Sequence, residues 1–476
     1  MRTAYRTPAR QPRSDNTVMT KRIFSSEVML PGGWARNALI EIDDTGNITA
    51  VRADQKPGDA ELAGGPVIPG MANTHSHAFQ RAMAGLAERM GSPDDSFWTW
   101  REVMYAFVRR LTPEHVRAIA AQVYVEMLRN GYTAVAEFHY LHNQADGKPF
   151  APRAELGLTH LRAAQETGIA ITLLPSLYAY SNFGEEPLIP AQRRFATTPE
   201  QILGMVRDLR DAARDNPDVR LGVAPHSLRA VSPAMLKDLI AGLDSLIPGA
   251  PIHMHVSEQV KEVNDCLSWS ECRPVQWLLE HMPVNERWCL IHCTHVSSTE
   301  SERLSASGAV VGLCPTTEGN LGDGIFPLLR HRERGGRFSI GSDSHVSQSP
   351  VEELRWLEYG QRLTLRRRNV IASVAQPSVG ANLWREAARG GSQALGRPMG
   401  EIAAGKRADL VVLNPAALNL EGRSGDTLLD ALVFAGNHDS VKHVMVGGTW
   451  VVRDGHHAHE AEIEARYRAV QKQLQQ

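Results

Sequence analysis

Short apolar runs alternate with segments of helical period through the middle of the chain. Eight such runs can be counted, near Val67 to His77, Thr133 to His139, Ala170 to Pro175, Arg220 to His226, Ile252 to Glu258, Trp288 to His292, Ala309 to Cys314 and Phe338 to Asp343. Every gap between them exceeds the roughly dozen residues that a parallel crossover with its helix requires. Eight repeats of strand and helix predict an α/β fold, a (β/α)8 TIM barrel, over residues 67–404. The ends have a different texture. Apolar and polar positions alternate over short stretches such as Ala38-Leu39-Ile40-Glu41-Ile42, and the pattern returns at Ala408 to Leu413 and Val444 to Val452. This predicts a small β-sandwich domain shared by residues 20–66 and 405–460, with 461–476 a terminal helix or tail.

Composition narrows the function. The 476 residues are 42% hydrophobic and 22% charged, enough for a large core. The formal net charge is −2, and no basic stripe with interleaved aromatics appears, so a nucleic-acid partner has no electrostatic support and a small-molecule partner is expected. The 5 cysteines are odd in number and form no CxxC pair, which fits reduced thiols in a cytoplasmic protein. No apolar run approaches the roughly eighteen residues of a membrane span, and no signal-peptide core is present. Residues 1–19, rich in Arg, Thr, Pro and Ser, are expected to be a disordered leader rather than a transit peptide, with Met19 an alternative start.

In a TIM barrel the chemistry collects where strands end. Thr74-His75-Ser76-His77 closes the first run, and strand alternation sends both histidines to one side, about 7 Å apart along the chain. The fifth run ends in His253-Met254-His255-Val256-Ser257-Glu258. Here His255 is the ligand candidate, His253 is structural, and Glu258 is a carboxylate at the mouth. The eighth ends in Gly341-Ser342-Asp343, where small residues let backbone approach a metal and Asp343 offers oxygen. Three imidazoles and a carboxylate suit one divalent ion, zinc above all, with water completing the shell. Glu258 is placed to move protons for that water.

These motifs resemble those of the amidohydrolase superfamily: Pro69 to His77, His255 with Glu258 three residues on, Ile291-His292-Cys293-Thr294-His295, Gly341-Ser342-Asp343, and the return into the β domain from Gly400 to Val411. Within it the resemblance narrows to the formimidoylglutamate deiminases, through His75-Ser76-His77-Ala78-Phe79-Gln80, Ala224 to Arg229 and Gly312 to Gly324. It implies hydrolytic loss of ammonia from a linear amidine, with His292 orienting or polarising the attacking group and Asp343 accepting a proton. The implied substrate is a small dicarboxylate, for which Arg101 and Arg229 are the guanidinium candidates, while Gln80, Tyr140 and His226 match substrate-contacting positions. The third and fourth runs supply no bridging lysine or acid, which points to a single ion. The resemblance also implies a homodimer. The pair Trp98 and Trp100 is left out of the candidate site, a helix-core anchor being the alternative use for it. A nucleobase or nucleoside deaminase, and a non-catalytic scaffold on the same barrel, are the alternatives.

Overall fold

A computed structural model of the chain describes residues 21–91, 93, 95–436 and 440–475. The leader expected at 1–19, with Met19, lies outside the described residues. The barrel strands are Met71–Ser76, Tyr132–His139, Ala170–Leu177, Val219–Leu221 with Ala224–Pro225, Ile252–Val256, Trp288–His292, Val310–Leu313 and Arg337–Ile340. Neighbours pair in parallel, and bridges at Val223–Ile252, Ser227–His255 and Ser76–Asp343 close the ring. The result is the (β/α)8 TIM barrel that the eight runs predict.

The first run divides at Gly70. Val67–Pro69 pairs antiparallel with Leu410–Leu413 outside the barrel, whereas Met71–Ser76 enters it beside Tyr132–His139. A Cβ at Gly70 would lie 2.4 Å from Thr133 Oγ1, so the second strand comes this close only to a glycine.

Both chain ends contribute to a 9-stranded sheet. Strand alternation lets this sheet serve two cores. Leu410 and Val412 pack with Ile23, Ile40 and Met445 inside the β domain, while Val411 and Leu413 face the barrel's apolar core. Four barrel helices begin at a Ser-Pro or Thr-Pro pair. The oxygens of Thr112, Thr198, Ser232 and Ser349 accept the N–H of His115, Gln201, Met235 and Glu352, and the following proline has no N–H to satisfy. The terminal helix Glu460–Gln475 lies against Pro113–Arg129. No helix among the described residues is long and apolar enough to cross a membrane.

Candidate metal centre and active site

His75, His77, His255, His292, Glu258 and Asp343 are all buried and converge at the carboxyl mouth of the barrel. His75 Nε2 lies 3.0 Å from His255 Nε2 and 3.4 Å from Asp343 Oδ1, and His77 Nε2 lies 3.5 Å from the same oxygen. Ligands about 2.0–2.1 Å from a tetrahedral ion sit about 3.3 Å from one another, so these three separations fit a divalent ion, with His75, His77 and Asp343 forming one metal-capable group and His75, His255 and His292 an overlapping one. The tautomers fit as well. His77 Nδ1 donates to the Phe138 carbonyl and His255 Nδ1 to the His226 carbonyl, each at 2.9 Å, which leaves both Nε2 lone pairs turned to the cluster. Burial, reinforced by neighbouring imidazoles, holds His75 and His255 well below the usual imidazole range, so both rings stay neutral. His253 Nε2 instead donates to the Ala394 carbonyl at 2.8 Å.

The backbone at this mouth is strained. Ser257 (φ 54°), His292 (69°), Cys293 (52°), Asp343 (48°) and His345 (61°) occupy the left-handed region without being glycine. Such residues cost on the order of 1–3 kcal/mol each and persist where surrounding structure holds them. Gly341 explains the close approach of the eighth strand. The Cβ it lacks would lie 2.7 Å from the backbone nitrogen of His75, so the small residue admits the first strand and not, as the sequence suggested, a metal.

Around His292 the carboxylates decide the charge. Its Nε2 is 3.7 Å from Glu258 Oε1 and 3.8 Å from Asp343 Oδ2, and its Nδ1 donates to Glu318 Oε1 at 3.2 Å. Burial pulls the imidazole down, but Glu258, Glu318 and Asp343 together carry it above the ordinary range. Glu258 is pushed above the usual carboxylate range by burial. Both groups are thus displaced upward from their ordinary ranges, as groups that hold and transfer protons in a pocket are.

One pocket is lined by His77, His255, Glu258, His292 and Asp343 together with Gln80, Arg101, Tyr140, His226 and Arg229, so every residue expected to contact substrate reaches it. His75 sits behind. Gln80 Nε2 donates to the Tyr140 hydroxyl at 2.8 Å while its Oε1 is unpartnered, and the Nε atoms of Arg101 and Arg229 are buried without an acceptor. Buried donors of this kind are set for a polar ligand. The helix Phe97–Val108 covers the mouth. Trp100 packs against the barrel core and also lines the pocket, while Trp98 lies beneath the Arg101 guanidinium at 4.6 Å.

The model of the amidohydrolase family matches residues 67–451. The chain belongs to that family. It is 52% identical over 439 residues to the formimidoylglutamate deiminase of Pseudomonas aeruginosa, covering 92% of this chain and 96% of that one. The 8-oxoguanine deaminase of the same organism is 28% identical, with 82% of each chain covered. The crystal structure of an amidohydrolase from Brucella melitensis superposes with a TM-score of 0.91 at 44% identity over 96% of this chain and 100% of that one. An adenosine deaminase from Xanthomonas campestris, solved with bound zinc, shares the fold at a TM-score of 0.79 and 20% identity, covering 95% of this chain and 98% of that one.

Several residues of this amidohydrolase site escape the sequence reading. Glu262 accepts the backbone N–H of Ser257 (3.1 Å) and of Glu258 (3.0 Å), fixing the turn that carries Glu258. Glu137 accepts from Ser76 Oγ at 2.6 Å and from Ala78 N–H at 2.9 Å, on either side of His77. A signal for it exists: a carboxylate inside the apolar run Thr133 to His139 is buried only for a reason. Glu318 lies within the quoted stretch Gly312 to Gly324, but nothing local reveals that it reaches His292.

Proposed function

We propose that this chain is a zinc-dependent deiminase that converts N-formimidoyl-L-glutamate to N-formyl-L-glutamate and ammonia in histidine degradation. The observation that carries the reading is one pocket that joins a metal-capable His/Asp cluster and Glu258 to two guanidinium groups, Arg101 and Arg229. The 52% identical relative named for that activity supports it.

His75, His77, His255 and Asp343 would hold one divalent ion, and the neutral imidazoles favour zinc. An ion there supplies Lewis acidity and lowers the pKa of water to about 7. Glu258 takes a proton from the water whose oxygen adds to the formimidoyl carbon. His292, held by Glu318 and facing Glu258, stabilises the charge that develops on that oxygen. Glu258 then delivers its proton to the imino nitrogen, the remaining proton of the added hydroxyl passes by way of Asp343 to the same nitrogen, the bond from carbon to that nitrogen breaks, and ammonia leaves while the carbonyl of the formyl group forms, so that both water protons end on ammonia and Glu258 and Asp343 return to their starting states. Arg101 and Arg229 bind the carboxylates, which fixes the distance from the glutamate backbone to the reacting carbon.

The reading includes a single ion, because the third and fourth strands supply no bridging lysine or acid. It also includes a cytoplasmic homodimer. Trp356, Tyr359 and Leu363, spaced along one face of Pro350–Leu365 and 49%, 37% and 74% exposed, support an interface. Ammonia release from formimidoyl-L-glutamate, guanine and adenosine side by side tests the proposal. Turnover of the linear amidine alone is expected, and release only from a purine overturns the substrate while leaving the metal centre in place.

A further inference from the structure

Gln192 sits on the short turn Pro190–Gln192, fully buried and remote in sequence from every motif residue. Its amide orientation is fixed, because its Oε1 accepts the backbone N–H of Ile189 at 3.1 Å. The other end of the amide therefore presents only hydrogens. Nε2 donates to the Tyr105 hydroxyl at 3.1 Å and to the Tyr178 hydroxyl at 2.9 Å. An amide nitrogen cannot accept, so both phenols receive from Gln192 and their own hydrogens must point elsewhere. Both tyrosines are buried, both line the pocket, and no acceptor among the described residues takes either hydrogen. The Arg101 guanidinium lies 5.5 Å from the Tyr105 ring, and the charge of Arg229 reaches both phenols.

We propose that Gln192 is a positioning residue for specificity: by donating to Tyr105 and Tyr178 together, it obliges two neutral phenols to present hydrogen-bond donors beside Arg101 and Arg229, where they complete the recognition of a substrate carboxylate. This rests on the dicarboxylate reading above. A carboxylate is acceptor-only and can take about four hydrogen bonds, which two guanidinium groups on separate elements do not saturate. Phenols add directional donors without further charge, and burial pushes the Tyr105 hydroxyl above its ordinary range. A ligand arm ending in an amide would set its own N–H groups against these donors, so the arrangement rejects neutral isosteres as well as welcoming the anion.

Gln192→Glu tests the polarity directly. A carboxylate at 192 would still accept from Ile189, but it would also accept from both phenols and turn their lone pairs toward the pocket. In the metal-loaded protein, KM for formimidoyl-L-glutamate is expected to rise about 10- to 100-fold with kcat within about threefold. The preference over N-formimidoyl-L-glutamine is expected to fall by a similar factor, an effect that a merely structural role would not produce. An unchanged KM and an unchanged preference overturn the proposal. Should Gln192→Glu lose metal or fold, Tyr178→Phe, which leaves Gln192 in place, must raise KM about tenfold with kcat kept, and failure to do so overturns it equally. If the parent releases no ammonia from formimidoyl-L-glutamate, the proposed function fails instead. Calorimetry with glutarate then reads the donors alone: binding weakened about tenfold by Gln192→Glu sustains the inference, and equal binding, or none to the parent, ends it.

Discussion

Replacing Arg229 by methionine removes the guanidinium while keeping most of the buried stem. The side chain is 5% exposed, and although burial opposes its charge, Glu262, Tyr178 and Glu258 hold it above its ordinary range, so it is a cation in the pocket. A guanidinium fork can make two charge-assisted hydrogen bonds to one carboxylate, each worth about 1.5–3 kcal/mol. The sum is discounted because Arg101, Tyr105 and Tyr178 remain as donors, leaving a loss of about 3–4 kcal/mol, or about 10²- to 10³-fold in kcat/KM. The carboxylate lies away from the reacting carbon and is bound equally before and during reaction, so the loss should fall on KM. Steady-state ammonia release at parent metal content measures it. Arg229→Lys, which retains charge but not the fork, should lie between the two. A fall of less than tenfold, or one carried wholly by kcat, refutes the dicarboxylate assignment.

Three other perturbations separate the parts of the site. Glu258→Gln should lower kcat by about 10²- to 10⁴-fold at unchanged zinc content, measured by elemental analysis alongside the rate. Dialysis against a zinc chelator should abolish turnover and lower Tm, and added zinc should restore both, with free ion at 100 times its Kd adding about 2.7 kcal/mol to stability. Burial raises the Glu137 carboxyl from 4.5 to about 7, so the folded protein binds a proton the unfolded chain has lost, and stability falls as pH rises between those values. Glu137→Gln removes that dependence, and denaturant titrations at pH 5 and pH 8 should show its stability relative to the parent improving by up to about 3 kcal/mol at the higher pH.

The barrel and its candidate ligands were legible because each is announced locally. A buried strand must be apolar for several residues, so His75, His77, His255 and Asp343, standing where such runs end, are conspicuous. What one run does next to another is not local. Val67–Pro69 is as apolar as Met71–Ser76, yet it leaves the barrel because its partners, Val28 and Leu410–Leu413, lie far along the chain. Trp98 and Trp100 carry the apolar signal of a core helix, and nothing local shows that Trp98 stacks on Arg101 or that Trp100 also reaches the pocket. Gln192, Tyr105 and Tyr178 were invisible for a related reason. A glutamine on a short turn has no period, and its role depends on two phenols brought in from other elements.

The two halves of the site are built on different supports, and this bears on what each determines. His75 and His255 lie on the first and fifth strands and His77 and Asp343 just past the first and eighth, while the carbonyls that orient His77 and His255, those of Phe138 and His226, lie on or just past the second and fourth. The approach of these strand ends is set by strand pairing at about 4.8 Å and by the close contact that Gly341 permits. Arg101, Tyr105, Tyr178, Gln192 and Arg229 lie instead on segments beyond the strand ends. Under the proposed function, replacing those segments should change which molecule is held while leaving the candidate ligands, Glu258 and His292 in place. A relative named for a purine can accordingly belong to the same family at 28% identity, because the groups proposed for the reaction sit at or just past the strand ends and those proposed for the substrate lie on the segments further out.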